Sequence, residues 1–120
     1  MLCHSIAEGK RVRHYGNREV VLSFTKYLRN ERVCLRLMAV KDGVEGEPVA
    51  VCTVNLPSVT MKENEVAIKT WYENVGMLGW LMDQGIVSAP QRYDCFANVF
   101  IPICSLLVQQ DSGGDHRRLV

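Results

Sequence analysis

Histidine is scarce in this chain: His4, His14 and His116 are the only three, and two of them sit near the ends. Nucleophilic catalysis needs a nucleophile, a base and an orienting group brought together. Only His14, in a basic stretch, is left to serve a central site, for example beside Cys34. Glu63 and Glu65 are paired carboxylates of the kind acid–base work uses, but they read as the solvated edge of a polar linker. Glycines form neither a GxGxxG nor a GxxxxGK[ST] pattern, so no loop is marked out to cradle phosphate. The five cysteines (Cys3, Cys34, Cys52, Cys95 and Cys104) contain no C-x-x-C pair, the short spacing that zinc sites generally use. Long apolar runs are missing too. The longest uncharged one, residues 96–110, contains Asn98 and Pro102 and stops short of the ~20 residues a membrane span needs. Residues 1–20 hold too many charges for a secretory signal. These absences lead us to expect a soluble, cytoplasmic, non-enzymatic protein with no catalytic residue, cofactor or metal.

What is present is an ordinary globular composition, 48% hydrophobic and 22% charged over 120 residues, which argues against disorder. One core is expected, in one domain over residues 1–108 that opens on a short leader at 1–9, with a polar, disordered tail at 109–120. Cys34, Cys52 and Cys104 lie inside apolar strand patterns, where a reduced thiol behaves as a small hydrophobe. Net charge is only +1 but is unevenly placed. Residues 1–41 hold nine Lys/Arg against three Glu, and residues 42–83 hold seven acids against two Lys.

Period-two alternation dominates the chain. Residues 10–16 read as a basic edge strand, ended by Gly16-Asn17. Val20, Leu22 and Phe24 alternate with Val21, Ser23 and Thr25 in a second strand. After the turn Arg29-Asn30-Glu31, Leu35 and Leu37 alternate with Cys34 and Arg36, which completes a hairpin. A turn extending through Gly46 precedes a strand over residues 48–56, and residues 65–69 make a short strand. Residues 95–107 read as one final strand, with Pro102 confining it to an edge or a bulge. A single segment has helical spacing, about residues 71–84. Thr70-x-x-Glu73 fits a capping box, Trp71, Val75, Leu78 and Met82 form one apolar stripe, and Gly85-Ile86 suits a Schellman exit onto Leu81. The fold class expected is α+β: a mainly antiparallel sheet of four to six strands with one helix packed on a face.

The passage TVNLP at residues 53–57, followed after a spacer by EVAIKTWYENVGMLGWLMDQGIV at residues 65–87, resembles an uncharacterised family of small proteins. Its members come from bacterial phages, plasmids and conjugative elements. The similarity spans roughly residues 49–107 and transfers no activity. It implies a mobile-element setting, in which small proteins often bind host machinery, including defence systems.

Three binding readings follow. In the first, the chain occupies a host protein or ribonucleoprotein complex, as an anti-CRISPR-like inhibitor would, using its polarised surface for steering. Arg11, Arg13, Arg29, Arg32, Arg36, Glu63, Glu65, Tyr72 and Trp80 are then the candidate contacts. Trp80 is either an exposed anchor or a packed ring. In the second, the basic N-terminal hairpin binds nucleic acid, its cations interleaved with Tyr15 and Tyr27. The competing structural reading neutralises that hairpin against the acidic segment across the sheet. In the third, an oligomer sequesters a small ligand. No membrane partner is expected, and the oligomeric state is open.

Overall fold

A computed structural model describes residues 10–109, so the expected leader and all of the expected tail but Gln109, with Cys3, His4 and His116, lie outside the described residues. Seven strands and one short helix run in the order β1 (Arg13–Tyr15), β2 (Arg18–Lys26), β3 (Val33–Lys41), β4 (Val44–Val51), β5 (Glu65–Ala67), α1 (Met77–Asp83), β6 (Arg92–Phe96) and β7 (Val99–Ser105). Every strand pairing is antiparallel. The α+β class is therefore as the sequence suggests, but the strands form two sheets: β1-β2-β3-β4 and β5-β7-β6.

The first sheet is a meander of near neighbours. β3 and β4 are joined by Asp42-Gly43, both at positive φ (53° and 75°), the signature of a type I′ turn whose twist matches its strands. Consequently β4 begins at Val44, before the expected start at Pro48, and register shifts near Met38 accommodate Gly46 and Pro48. Val20, Leu22, Leu35, Leu37 and Ala50 face the main core. The opposite face of this sheet is not bare, because Val21 and Met38 are also buried, packed with Val40. Both sides of β2 and β3 thus carry apolar side chains.

Residues 52–54 cross between the sheets and bond to both. The Cys52 N–H donates to the Leu35 carbonyl, and the Cys52 carbonyl accepts from the Lys69 N–H. The Val54 N–H then donates to the Ala67 carbonyl at the end of β5. The main core lies where the sheets meet, with Val66, Ile68 and Cys104 completing it from the second sheet and Met77, Leu81, Ile86 and Val87 closing it from α1 and its exit. Burying each of the large aliphatic side chains stabilises the fold by roughly 1.5–3 kcal/mol.

The helix is shorter than its pattern. A single 3-10 turn at Tyr72–Asn74 precedes the seven-residue α1, and Gly76 at φ 89° separates them. Trp71, not Thr70, precedes the 3-10 turn, and no side chain caps it. The buried positions are Asn74, Met77 and Leu81, whereas Val75 and Met82 are exposed; the inward stripe is therefore rotated by one residue from the expected one. The exit does match expectation. Gly85, at φ 72°, lets its N–H reach the Met82 carbonyl and the Ile86 N–H reach the Leu81 carbonyl, the Schellman pair.

The last expected strand is a hairpin. Ala97-Asn98, at φ 53° and 65°, turns β6 into β7. This makes β7 the central strand of its sheet, with Pro102 buried inside it, contrary to the edge or bulge expected. Pro102 is tolerated there because its backbone points to β5 at its very end: its carbonyl accepts from Ile68, one residue past Ala67. The missing N–H therefore removes nothing from the β6 ladder. Among the described residues no helix is long and apolar enough to cross a membrane.

Candidate functional site

Two arginines hold the long loop between β4 and β5. Arg32, just before β3, donates through Nη1 to the Leu56 carbonyl at 2.7 Å and through Nη2 to the Val59 carbonyl at 2.5 Å. Arg92, at the start of β6, grips the Glu65 carboxylate with both ends of its fork at 2.9 and 3.1 Å, and its Nη2 also reaches the Thr60 carbonyl. Such bidentate pairing fixes geometry as well as charge. Glu65 accepts a third bond from the Lys62 N–H, and its side chain is only 2% exposed. The Arg92 bonds, followed by that N–H, hold its carboxyl below the usual carboxylate range despite burial. A loop that reads as a solvated linker is therefore anchored at both ends.

This anchoring shapes a groove of about 670 Å³ between the β2–β3 turn and residues 61–65. Three of the expected contact residues, Arg32, Glu63 and Glu65, line it together, with Lys26, Glu31 and Lys62. Three cations and three anions line its wall, so it concentrates no single sign of field. Arg32 and Glu65 meet there as structural ties with their bonding capacity largely engaged.

The other expected residues are dispersed. Arg13 stands opposite Val20 and Ala39, whereas Arg36 stands opposite Ser23, on the other face of the same sheet. Arg13 is only 9% exposed and its Nε has no bonding partner among the described residues; burial first, and Arg11 second, weaken its hold on its proton. Arg36 reaches Ser23 at 3.4 Å while its Nε is buried and unbonded. Arg11 and Arg29 are exposed. Among the described residues, the Lys10–Glu45 ion pair at 3.1 Å joins the basic and acidic parts of the chain. Trp80 is the packed ring of the two alternatives: its Nε1 donates to the His14 carbonyl at 2.8 Å, and it meets Tyr15 edge-on at 5.1 Å. Tyr72 is 83% exposed, on a residue with φ 54°, a backbone state uncommon for a bulky side chain.

The buried thiols and phenol are chemically quiet. Tyr27 shares a 2.9 Å hydrogen bond with Thr53, whose hydroxyl oxygen also accepts from the Leu35 N–H. Burial pushes the Tyr27 phenol up to about 12 and the Cys104 thiol up to about 11, and it raises Cys52 as well. A thiol so raised is almost wholly protonated at neutral pH and is a poor nucleophile. Among the described residues, no three His, Cys, Asp or Glu side chains are grouped to hold a metal ion.

Searches of family models, curated proteins and solved structures return no match. The functional surface must therefore be sought in the geometry of this chain.

The most exposed aromatic cluster lies on the β6–β7 hairpin, among residues that sequence reasoning passed over. Tyr93, Phe96 and Phe100 are 57%, 59% and 70% exposed. Cys95 stands opposite Phe100 and Tyr93 opposite Pro102, so Tyr93, Cys95 and Phe100 share one face; Phe96 is on the other with Ile101 and Ile103. Inward residues of β7 are buried in a small second core with Leu56 and Ala67, which gives the exposed rings a fixed base. The signal was available in the composition, since two of the three phenylalanines fall within five residues. Reading residues 95–107 as one strand concealed it.

Proposed function

We propose that this chain is a protein-binding module that acts by occupying a macromolecular partner, with the β6–β7 hairpin as its contact surface. The observation carrying this reading is the exposure of Tyr93, Phe96 and Phe100 on one rigid two-stranded tip. Aromatic side chains are enriched at interface centres; Tyr93 and Phe100 share one face of the tip, and Phe96 extends the exposed apolar surface on the other. Tyr72 adds a fourth exposed ring, displayed by its own turn. The mobile-element resemblance suggests a host protein or ribonucleoprotein as partner, with a defence complex among the candidates, and no turnover of its own is part of this reading.

Photo-crosslinking tests it. With p-benzoylphenylalanine at Phe100 or Phe96, bacterial cells expressing the chain should yield one discrete crosslinked protein that survives nuclease treatment. Crosslinks from Arg11 and Arg29 with none from the hairpin would overturn the proposal. So would a turnover abolished by one side-chain change.

A further inference from the structure

β6 is the outer strand of the order β5-β7-β6, so among the described residues one of its edges bears no ladder. The β7 register decides which groups face that edge. Pro102 turns its carbonyl towards β5, where it accepts from Ile68, while Ile103 and Ser105 turn theirs the other way, to Gln91 and Ser88. Odd-numbered residues of β7 therefore bond towards β6. Asp94 stands opposite Ile101 and Phe96 opposite Val99, so these two bond inward. Tyr93 and Cys95 are left presenting their N–H and C=O groups outward.

Side-chain placement gives this edge a selective character. Tyr93, Cys95 and Phe100 share one face, and Asp94 projects from the other. Asp94 makes no hydrogen bond or close ion pair among the described residues; Arg92 on the same face feels its charge but commits its fork to Glu65. A second copy of this chain is a poor occupant. Of the twofold antiparallel pairings open to it, the one centred on Asp94 sets that residue directly against its own copy, and like charges directly opposite are destabilising; the one centred on Tyr93 sets Asp94 against Arg92, whose fork is already committed to Glu65. A strand with a cation at that position meets Asp94 favourably, while its two flanking residues fall beside Tyr93, Cys95 and Phe100.

We infer that the β6 edge takes an extended peptide segment of a partner protein as an added strand, reading an apolar–Lys/Arg–apolar triplet centred on Asp94. Main-chain bonds to Tyr93 and Cys95 supply affinity and the Asp94 pairing supplies choice, as in strand-addition recognition generally. The inference rests on the hairpin being the contact surface and adds the chemistry of the partner.

The test is an amide NMR titration of the full chain with a ten-residue peptide whose core is Thr-Val-Lys-Val-Thr. Tyr93 and Cys95 amide protons should move downfield and gain exchange protection. The matching peptide with Glu in place of Lys should bind about three- to tenfold more weakly, as expected for one cross-strand charge pair. Asp94→Lys should reverse that order, and N-methylation of the peptide amides facing β6 should abolish binding. Silent Tyr93 and Cys95 amides at millimolar peptide would overturn the inference, as would an order unchanged by Asp94→Lys. A melting curve of the Asp94→Lys variant matching that of the parent excludes misfolding as the cause of an unchanged order. Hairpin crosslinks persisting while these arms fail would remove strand addition and leave the contact surface standing. Peptide binding without crosslinks in cells would remove the proposed function instead.

Discussion

Asn74 should respond unequally to two small substitutions. Its side chain is fully buried, and Nδ2 donates to the Val51 carbonyl at 2.7 Å and to the Lys69 carbonyl at 3.1 Å, while Oδ1 has no partner. Those two bonds tie the 3-10 turn to the end of β4 and to the segment that follows β5. Asn74→Ala strands two carbonyls, each costing about 1–3 kcal/mol when buried unbonded, but it also removes the orphaned Oδ1, so a net loss of about 1–3 kcal/mol is expected. Asn74→Asp is worse at neutral pH. It aims a carboxylate oxygen at two carbonyl oxygens, and an uncompensated buried charge costs about 3–5 kcal/mol, a large share of a typical domain's stability of about 5–15 kcal/mol. Burial beside carbonyls raises that new carboxyl above its ordinary value. A raised folded-state pKa gives stability that is complete below the unfolded value and lost as pH rises through the folded one. The gap between the Asp and Ala variants should therefore close on acidification towards about pH 4. Urea unfolding followed by Trp71 and Trp80 fluorescence at several pH values measures it. Equal losses in both variants at pH 7, or a gap indifferent to pH, would refute the assigned bonding.

Two further expectations concern the core and the loop. Leu81→Ala should cost about 2–5 kcal/mol as a core truncation, whereas Met82→Ala, one residue on and exposed, should fall within about 0.5 kcal/mol of the parent; thermal melts of the pair decide which face of α1 is inward. Glu65 has its carboxyl lowered by the Arg92 fork and the Lys62 N–H, so its contribution is present above the ordinary carboxylate value and lost as pH falls through the lowered one. Glu65→Gln should consequently lower the melting temperature most at neutral pH and least in acid, and a pH-independent difference would exclude the pairing.

The meander was legible because its alternation and polar turns agree with each other, and the Gly85 exit because one left-handed residue suffices to specify it. Elsewhere local rules conflicted with tertiary ones. Asp42-Gly43 is itself the strongest hairpin signal in the chain, but Gly46 and Pro48 resemble a longer turn, and only pairing with β3 absorbs them into a bulged strand. Ala97 offers no warning of positive φ, so the turn before Val99 was invisible from propensity. The helix stripe was misread for a different reason. A stripe fitted to apolar residues alone has no place for the polar Asn74, whose hydrogen bonds are what hold it inward, and Val75, Leu78 and Met82 each lie one residue from the buried positions. Of the candidate contacts, charge could be counted from sequence but its engagement could not. Arg32 and Glu65 hold backbone and each other's surroundings together, which depends on carbonyls and partners more than 20 residues distant.

The crossing segment at residues 52–54 also orders events in time. Each strand of the meander finds its neighbour across a short loop, at small entropic cost, whereas β5 must meet β7 with Glu65 opposite Ser105, about forty residues away. Once β3 is in place, its Leu35 carbonyl captures Cys52, and Cys52 then offers a carbonyl to Lys69. Loop entropy alone therefore favours the meander and the β6–β7 hairpin, each closed over a short turn, ahead of the β5–β7 pairing that joins them into one core. A chain stalled before that pairing would carry a meander and a hairpin not yet docked on a common core, with Tyr93, Phe96 and Phe100 as open to self-association as they are in the finished fold.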